Sequence, residues 1–202
     1  MRFDWEESRN VKNIEVYWPV PKRKDEMGLQ VLGYEGRQIF PVDVEVSEPG
    51  KDVHLVLKLD AMVCKDICIP QDIKVTLDIP VGEGVEYSSG MQKRLKKAKA
   101  KAPDGKDNPV LKIETVVASK DALAVGIVAK KGFDKIDIFA GTDNVFFAQK
   151  PALAQDERNP DSAILTLHKS DEIENLRQEL QGQELLLLVT DGESAVEKTI
   201  EF

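Results

Sequence analysis

Cys64 and Cys68, the only cysteines of this chain, stand between two runs in which apolar and polar residues alternate. Val53-His54-Leu55-Val56-Leu57-Lys58-Leu59 precedes them, and Ile73-Lys74-Val75-Thr76-Leu77-Asp78-Ile79 follows. A period of two is the mark of a β-strand with one covered face. The two thiols therefore sit where one strand gives way to the next, with three residues between them. A turn at that place brings the sulfurs together. A disulfide closing so short a loop removes little chain entropy compared with one closing a long loop. Such a pair is better explained by chemistry than by stability, and the spacing leaves thiol–disulfide exchange and metal binding both open.

The 202 residues have room for one large domain or two small ones, and 42% apolar content suffices for a packed core. The longest apolar run, Leu185 to Val189, has the length of a buried strand and is far too short for a membrane span. The net charge of −8 opposes general affinity for nucleic acid. The first residues, Met1-Arg2-Phe3-Asp4-Trp5-Glu6-Glu7, are charged and lack the apolar core of a signal peptide. Two cysteines do not settle the compartment, since such a pair is redox-active or metal-binding in the cytosol and can rest oxidised outside it.

Along the chain, Val11 to Trp18 reads as a strand ended by Pro19 and Pro21, followed by a polar loop from Lys22 to Gly28. Gln38 to Val46 alternates, with Pro41 inside it. Lys93 to Lys101 carries six positive charges and favours helix, and Pro103 to Pro109 breaks it. Strand candidates return at Val110–Val117, Ala122–Ala129, Lys135–Ala140, Ala163–His168 and Glu184–Thr190, punctuated by turn residues. One helix is expected over Asp171–Leu180, opened by an Asp171/Glu174 capping box, with Ile173, Leu176 and Leu180 on its apolar face. The expected fold is all-β: two immunoglobulin-like sandwiches, residues 1–82 and 109–202, joined by a basic helical linker over 83–108. The linker reads as a solvated helix, or as a contact for an anionic lipid surface.

Several segments resemble a known family. Tyr17-Trp18-Pro19-Val20-Pro21, Gly33-Tyr34-Glu35-Gly36, Phe40-Pro41-Val42 and Val63-Cys64-Lys65-Asp66-Ile67-Cys68-Ile69-Pro70 are similar to the N-terminal periplasmic domain of the DsbD and ScsB transmembrane thiol:disulfide reductases, ScsB above all. The second half looks like the further immunoglobulin-like domain of ScsB proteins. The resemblance implies a periplasmic module of an inner-membrane protein, part of a protein-disulfide reductase. It would take electrons from a thioredoxin-like or membrane-embedded domain and reduce periplasmic thioredoxin-like partners, with no cofactor. Cys64 and Cys68 would be the redox pair, and Cys68 would form the mixed disulfides. Asp25-Glu26-Met27 precedes Tyr34 at the spacing of the family's cap loop, which makes Met27 a lid over the disulfide. Asp25 and Glu26 would then be carboxylates that oppose the Cys68 thiolate and slow unspecific reactions.

Three departures from the family stand out. The cysteines are closer together here than in DsbD, and the cap residue is Met rather than Phe, a softer lid. The family has strand sequence and a signal peptide upstream of Arg2, with its membrane and thioredoxin-like parts downstream. On that comparison the chain reads as a fragment whose first sandwich exposes an edge.

Two other classes compete. Thiolates select Cu(I), so Cys-x3-Cys also suits a copper-binding or copper-delivery module, with His54, His168 or Met62 as the available third ligands. Zinc would need a four-ligand cluster that the sequence does not show. A purely structural interaction domain with a static disulfide is the third class. No Gly-rich phosphate loop and no nucleophile elbow is present.

Overall fold

A computed structural model describes residues 1–26, 29–64, 67–82, 88–103 and 108–202. In chain order the elements are β1 (Arg2–Asp4), β2 (Val11–Val16), β3 (Lys22–Glu26), β4 (Leu29–Gly33), β5 (Val42–Val46), β6 (Val53–Cys64), β7 (Cys68–Ile79) and α1 (Ser89–Lys99). There follow β8 (Leu111–Ala118), β9 (Ala122–Ala129), β10 (Asp137–Gly141), β11 (Ala152–Asp156), β12 (Asn159–His168), α2 (Leu176–Glu179), β13 (Glu184–Thr190) and β14 (Ala195–Glu201). The fold is all-β, as the alternating patterns require. Its two compact units are residues 1–16 with 41–95, and residues 17–40 with 96–202. The segment 17–40, which lies in the first half of the sequence, thus packs with the second half.

The first unit holds the antiparallel sheet β1-β6-β7 and the pair β2-β5. Val53 and Val56 on β6, with Pro41, are its buried apolar side chains among the described residues. β7 is an outer strand, and its apolar row Ile69, Ile73, Val75, Leu77 and Ile79 is exposed. The turn before β6 is pinned by Asn10, which adopts a left-handed backbone (φ 59°) that Asn tolerates better than most residues. Its side-chain Nδ2 donates to the carbonyls of Glu48 (3.1 Å), Lys51 (3.1 Å) and Asp52 (3.3 Å).

The second unit is a sandwich of the sheets β11-β12-β9-β8 and β10-β13-β14. Along β9 burial alternates residue by residue, so that Leu123, Val125, Ile127 and Ala129 face inwards. They meet Ala163, Leu165 and Leu167 of β12, and Leu185, Leu187 and Val189 of β13, in one continuous core. Burial at this density is the main stabilising term of such a domain.

Two local expectations are corrected. Residues 22–26 form a strand rather than a polar loop, pairing with β4 from Lys22↔Gly33 to Glu26↔Leu29. Charges on both faces of β3 hide its period in the sequence. Helix α2 begins at Leu176, not at Asp171, and its N-cap is Asn175, whose side-chain Oδ1 accepts from Gln178 N at 3.4 Å. Ser170–Ile173 instead closes a turn, and Leu176 N is tied to Lys120 O at 2.8 Å, so the chain is drawn onto the sandwich before it can coil. The apolar face is nonetheless the expected one: Leu176 and Leu180 are fully buried, with Ile173 packed against the same core. Strands β11 and β14 add to the expected set. The helix of the charged segment does form, as α1.

Candidate redox site

The site is built by the longest ladder in the chain. β6 and β7 pair antiparallel from Val53↔Ile79, through Leu59↔Ile73, to Cys64↔Cys68. Because side chains alternate across a strand, this register puts both cysteines on one face at the turn end of the hairpin. Their sulfurs are joined as a disulfide, with the Cα atoms 4.1 Å apart. Cys68 is exposed and Cys64 is half-buried. Met62, Val63, Ile67 and Ile69, the apolar neighbours of the cysteines along the chain, are all exposed. Lys65 and Asp66, between the cysteines, lie outside the described residues.

Charges run down the same face. Asp60 stands opposite Asp72, and Arg2 offsets that like-charge pair by reaching the Asp60 carboxylate at 3.4 Å. One step further, Lys58 stands opposite Lys74, and Glu7 bridges both at 2.6 Å. Hydrogen bonds from Lys58 and then Lys74 hold the Glu7 carboxyl down to about 2. Near the far end His54 pairs with Asp78. At about 3.3 Å per residue, Asp60 is roughly 13 Å along the strand from Cys64, beyond the screening length in physiological salt. These hairpin charges stabilise the ladder and leave the thiols largely alone.

The expected site residues fall in two places. Cys64 and Cys68 lie in the first unit. Asp25 lies on β3 opposite Gln30, whose amide nitrogen donates to its carboxylate at 3.1 Å. Glu26 ends the same strand, and Met27 lies outside the described residues. The β3–β4 hairpin belongs to the second unit. Its base is tied by aromatic residues of the resembling motifs. Phe40 meets Trp18 edge-on at 5.4 Å and Tyr34 at 5.2 Å, and the Tyr34 hydroxyl donates to Pro19 O at 2.9 Å. Burial pushes the Tyr34 hydroxyl above its ordinary pKa.

Of the third ligands that a copper site would need, His54 is about 33 Å along β6 from Cys64 at the usual rise. His168 ends β12 in the other unit. No group of three or more His, Cys, Asp or Glu side chains suited to a metal occurs among the described residues. Met62, on the cysteines' own face, is the nearest of the three.

A disulfide presented at the end of a two-stranded ladder on an immunoglobulin-like scaffold is an arrangement suited to thiol–disulfide exchange. Residues 1–80 match the family model of the N-terminal domain of the thiol:disulfide interchange protein DsbD, and residues 101–202 match that of a domain of unknown function, DUF8393. The chain therefore belongs to the DUF8393 family through its second half, and its first part is similar to the DsbD N-terminal domain. Among solved structures it is similar to the N-terminal periplasmic domain of ScsB from Proteus mirabilis, with 20% identity and a TM-score of 0.67 over 98% of this chain and 76% of that one. No curated protein matches it. No helix among the described residues is long and apolar enough to cross a membrane.

Proposed function

We propose that this chain is a periplasmic electron-transfer module that receives electrons from a thioredoxin-like or membrane-embedded domain and reduces partner proteins through Cys64 and Cys68. The observation that carries the reading is the exposed disulfide between terminal register partners of the β6–β7 hairpin. It corresponds to the oxidised end of the cycle. In the forward reaction the Cys68 thiolate attacks a partner disulfide, forming a mixed disulfide and releasing one partner thiolate. The Cys64 thiolate then attacks the Cys68 sulfur, expels the second partner thiolate and regenerates the Cys64–Cys68 bond. Two electrons pass to the partner, whose thiolates take up the two protons that the module's thiols gave up. An upstream dithiol resets the pair by the same exchange in reverse. The greater exposure of Cys68 supports it as the sulfur that meets the partner. On the family resemblance, Asp25, Glu26 and Met27 serve as the lid that keeps small thiols out.

The redox potential of the Cys64–Cys68 pair tests this, measured by equilibration with a dithiol buffer. A value above about −300 mV, the region of exchange proteins, is expected, and a lower one would mark a structural bond. Cys64→Ala should trap a mixed disulfide on Cys68 with a thioredoxin-like partner. Trapping only in Cys68→Ala would reverse the two roles.

A further inference from the structure

The charged run Lys22-Arg23-Lys24 is sorted by strand geometry. Lys22 and Lys24 turn to solvent and share the carboxylate of Glu35. Arg23 turns the other way and is only 6% exposed. Its Nε donates to Asp137 Oδ1 (3.2 Å) and Oδ2 (3.0 Å), one Nη to Ile138 O (2.8 Å) and the other to Ala148 O. The guanidinium carbon lies 5.3 Å from the centre of the Phe139 ring. Asp137 opens β10 in the C-terminal sandwich, and its carboxylate also accepts from Ile138 N at 2.8 Å.

From this we infer that the C-terminal sandwich is the mount of the β3–β4 hairpin and that Arg23 is the clasp. A guanidinium so placed is costly to release, because extraction leaves the Asp137 carboxylate and two carbonyl oxygens without their donor in a part-buried site. Lysine cannot replace it, since one ammonium does not reproduce the planar fork that serves Asp137 and both carbonyls. The hairpin is inserted between β2 and β5 of the first unit's chain, yet it folds as part of the second unit. The DUF8393 domain thereby holds strands β3 and β4, and Arg23 is the positioning residue. The consequence for the disulfide rests on the proposed reading of Asp25, Glu26 and Met27 as a lid; the clasp does not.

Amide hydrogen exchange and disulfide reduction on the whole chain separate the two. In Arg23→Ala, amides of residues 22–26 and 29–33 should exchange at least tenfold faster, while those of β9 and β13 stay protected. Arg23→Lys should fall between it and the parent, and Lys22→Ala, which touches only the exposed Glu35 pair, should match the parent. Should Arg23→Ala fail to fold, Asp137→Asn is the milder probe and should accelerate the same amides to a smaller degree. Hairpin exchange unchanged in a folded Arg23→Ala protein overturns the clasp. Reduction of the Cys64–Cys68 disulfide by dithiothreitol should become several-fold faster in Arg23→Ala. A loosened hairpin with an unchanged reduction rate upholds the clasp and overturns the lid instead. Faster reduction without a loosened hairpin overturns the clasp.

Discussion

Cys64 and Cys68 are the last register partners of the β6–β7 ladder, four positions apart in sequence. The bond between them closes a turn that the ladder already holds. On the chain-entropy relation a loop this short contributes about 2 kcal/mol at most. The reduced protein should therefore stay folded, with stabilities of the oxidised and reduced forms within about 2 kcal/mol in urea unfolding. A loss of more than about 4 kcal/mol on reduction would mark the bond as structural and count against exchange.

If Asp25, Glu26 and Met27 are a lid over the disulfide, their side chains control access. Met27→Ala should speed reduction of the disulfide by dithiothreitol several-fold, because a smaller side chain excludes the reagent less. Asp25→Asn combined with Glu26→Gln should speed alkylation of reduced Cys68 by iodoacetamide near neutral pH, since two negative charges no longer oppose the thiolate. Rates unchanged in both variants would remove the lid from the mechanism.

Glu7 gives the first unit a pH dependence with a definite sign. Its folded value of about 2 lies below the ordinary 4.5. The stabilisation it brings is thus complete above about pH 4.5 and is lost as pH falls through 2. A carboxyl titration by NMR at low salt should find that midpoint near 2. Lys58→Ala should raise it, as should 1 M salt, where screening acts within about 3 Å. A midpoint above 4 at low salt would mean that the double bridge to Lys58 and Lys74 does not form in solution.

The two units differ in how much they bury. The continuous core belongs to the second, whereas the first buries Pro41, Val53 and Val56 among its described apolar residues. Amides of β6 and β7 should exchange before those of β9 and β13. Leu187→Ala, at a fully buried position, should destabilise the second unit by about 2–5 kcal/mol. Leu77→Ala on the exposed row of β7 should cost less than about 1 kcal/mol. Equal costs would show that the β7 row is covered in solution.

The β6–β7 hairpin and strand β9 were legible because each is a local period of two, and β9 has the expected bounds, Ala122–Ala129. The burial of Ile173, Leu176 and Leu180 was equally legible from their spacing, although the start of their helix was not, because Lys120 rather than a neighbour holds Leu176 N. Strand β3 left no such trace. Its inward residue is an arginine, so the face that packs looks as polar as the face that does not.

The sequence by itself determined which residues become neighbours through the chain: two thiols on a turn between strands that alternate for long enough to align them. Those contacts depend on backbone geometry repeated over a few residues, and residue type reports it directly. Tertiary structure alone decided which unit owns the segment from Tyr17 to Phe40. That choice rests on Arg23 finding Asp137, 114 residues away, together with two backbone carbonyls and an aromatic face. Such a cluster has no period, and each of its members looks like an ordinary surface residue until the chain folds and removes the water around them.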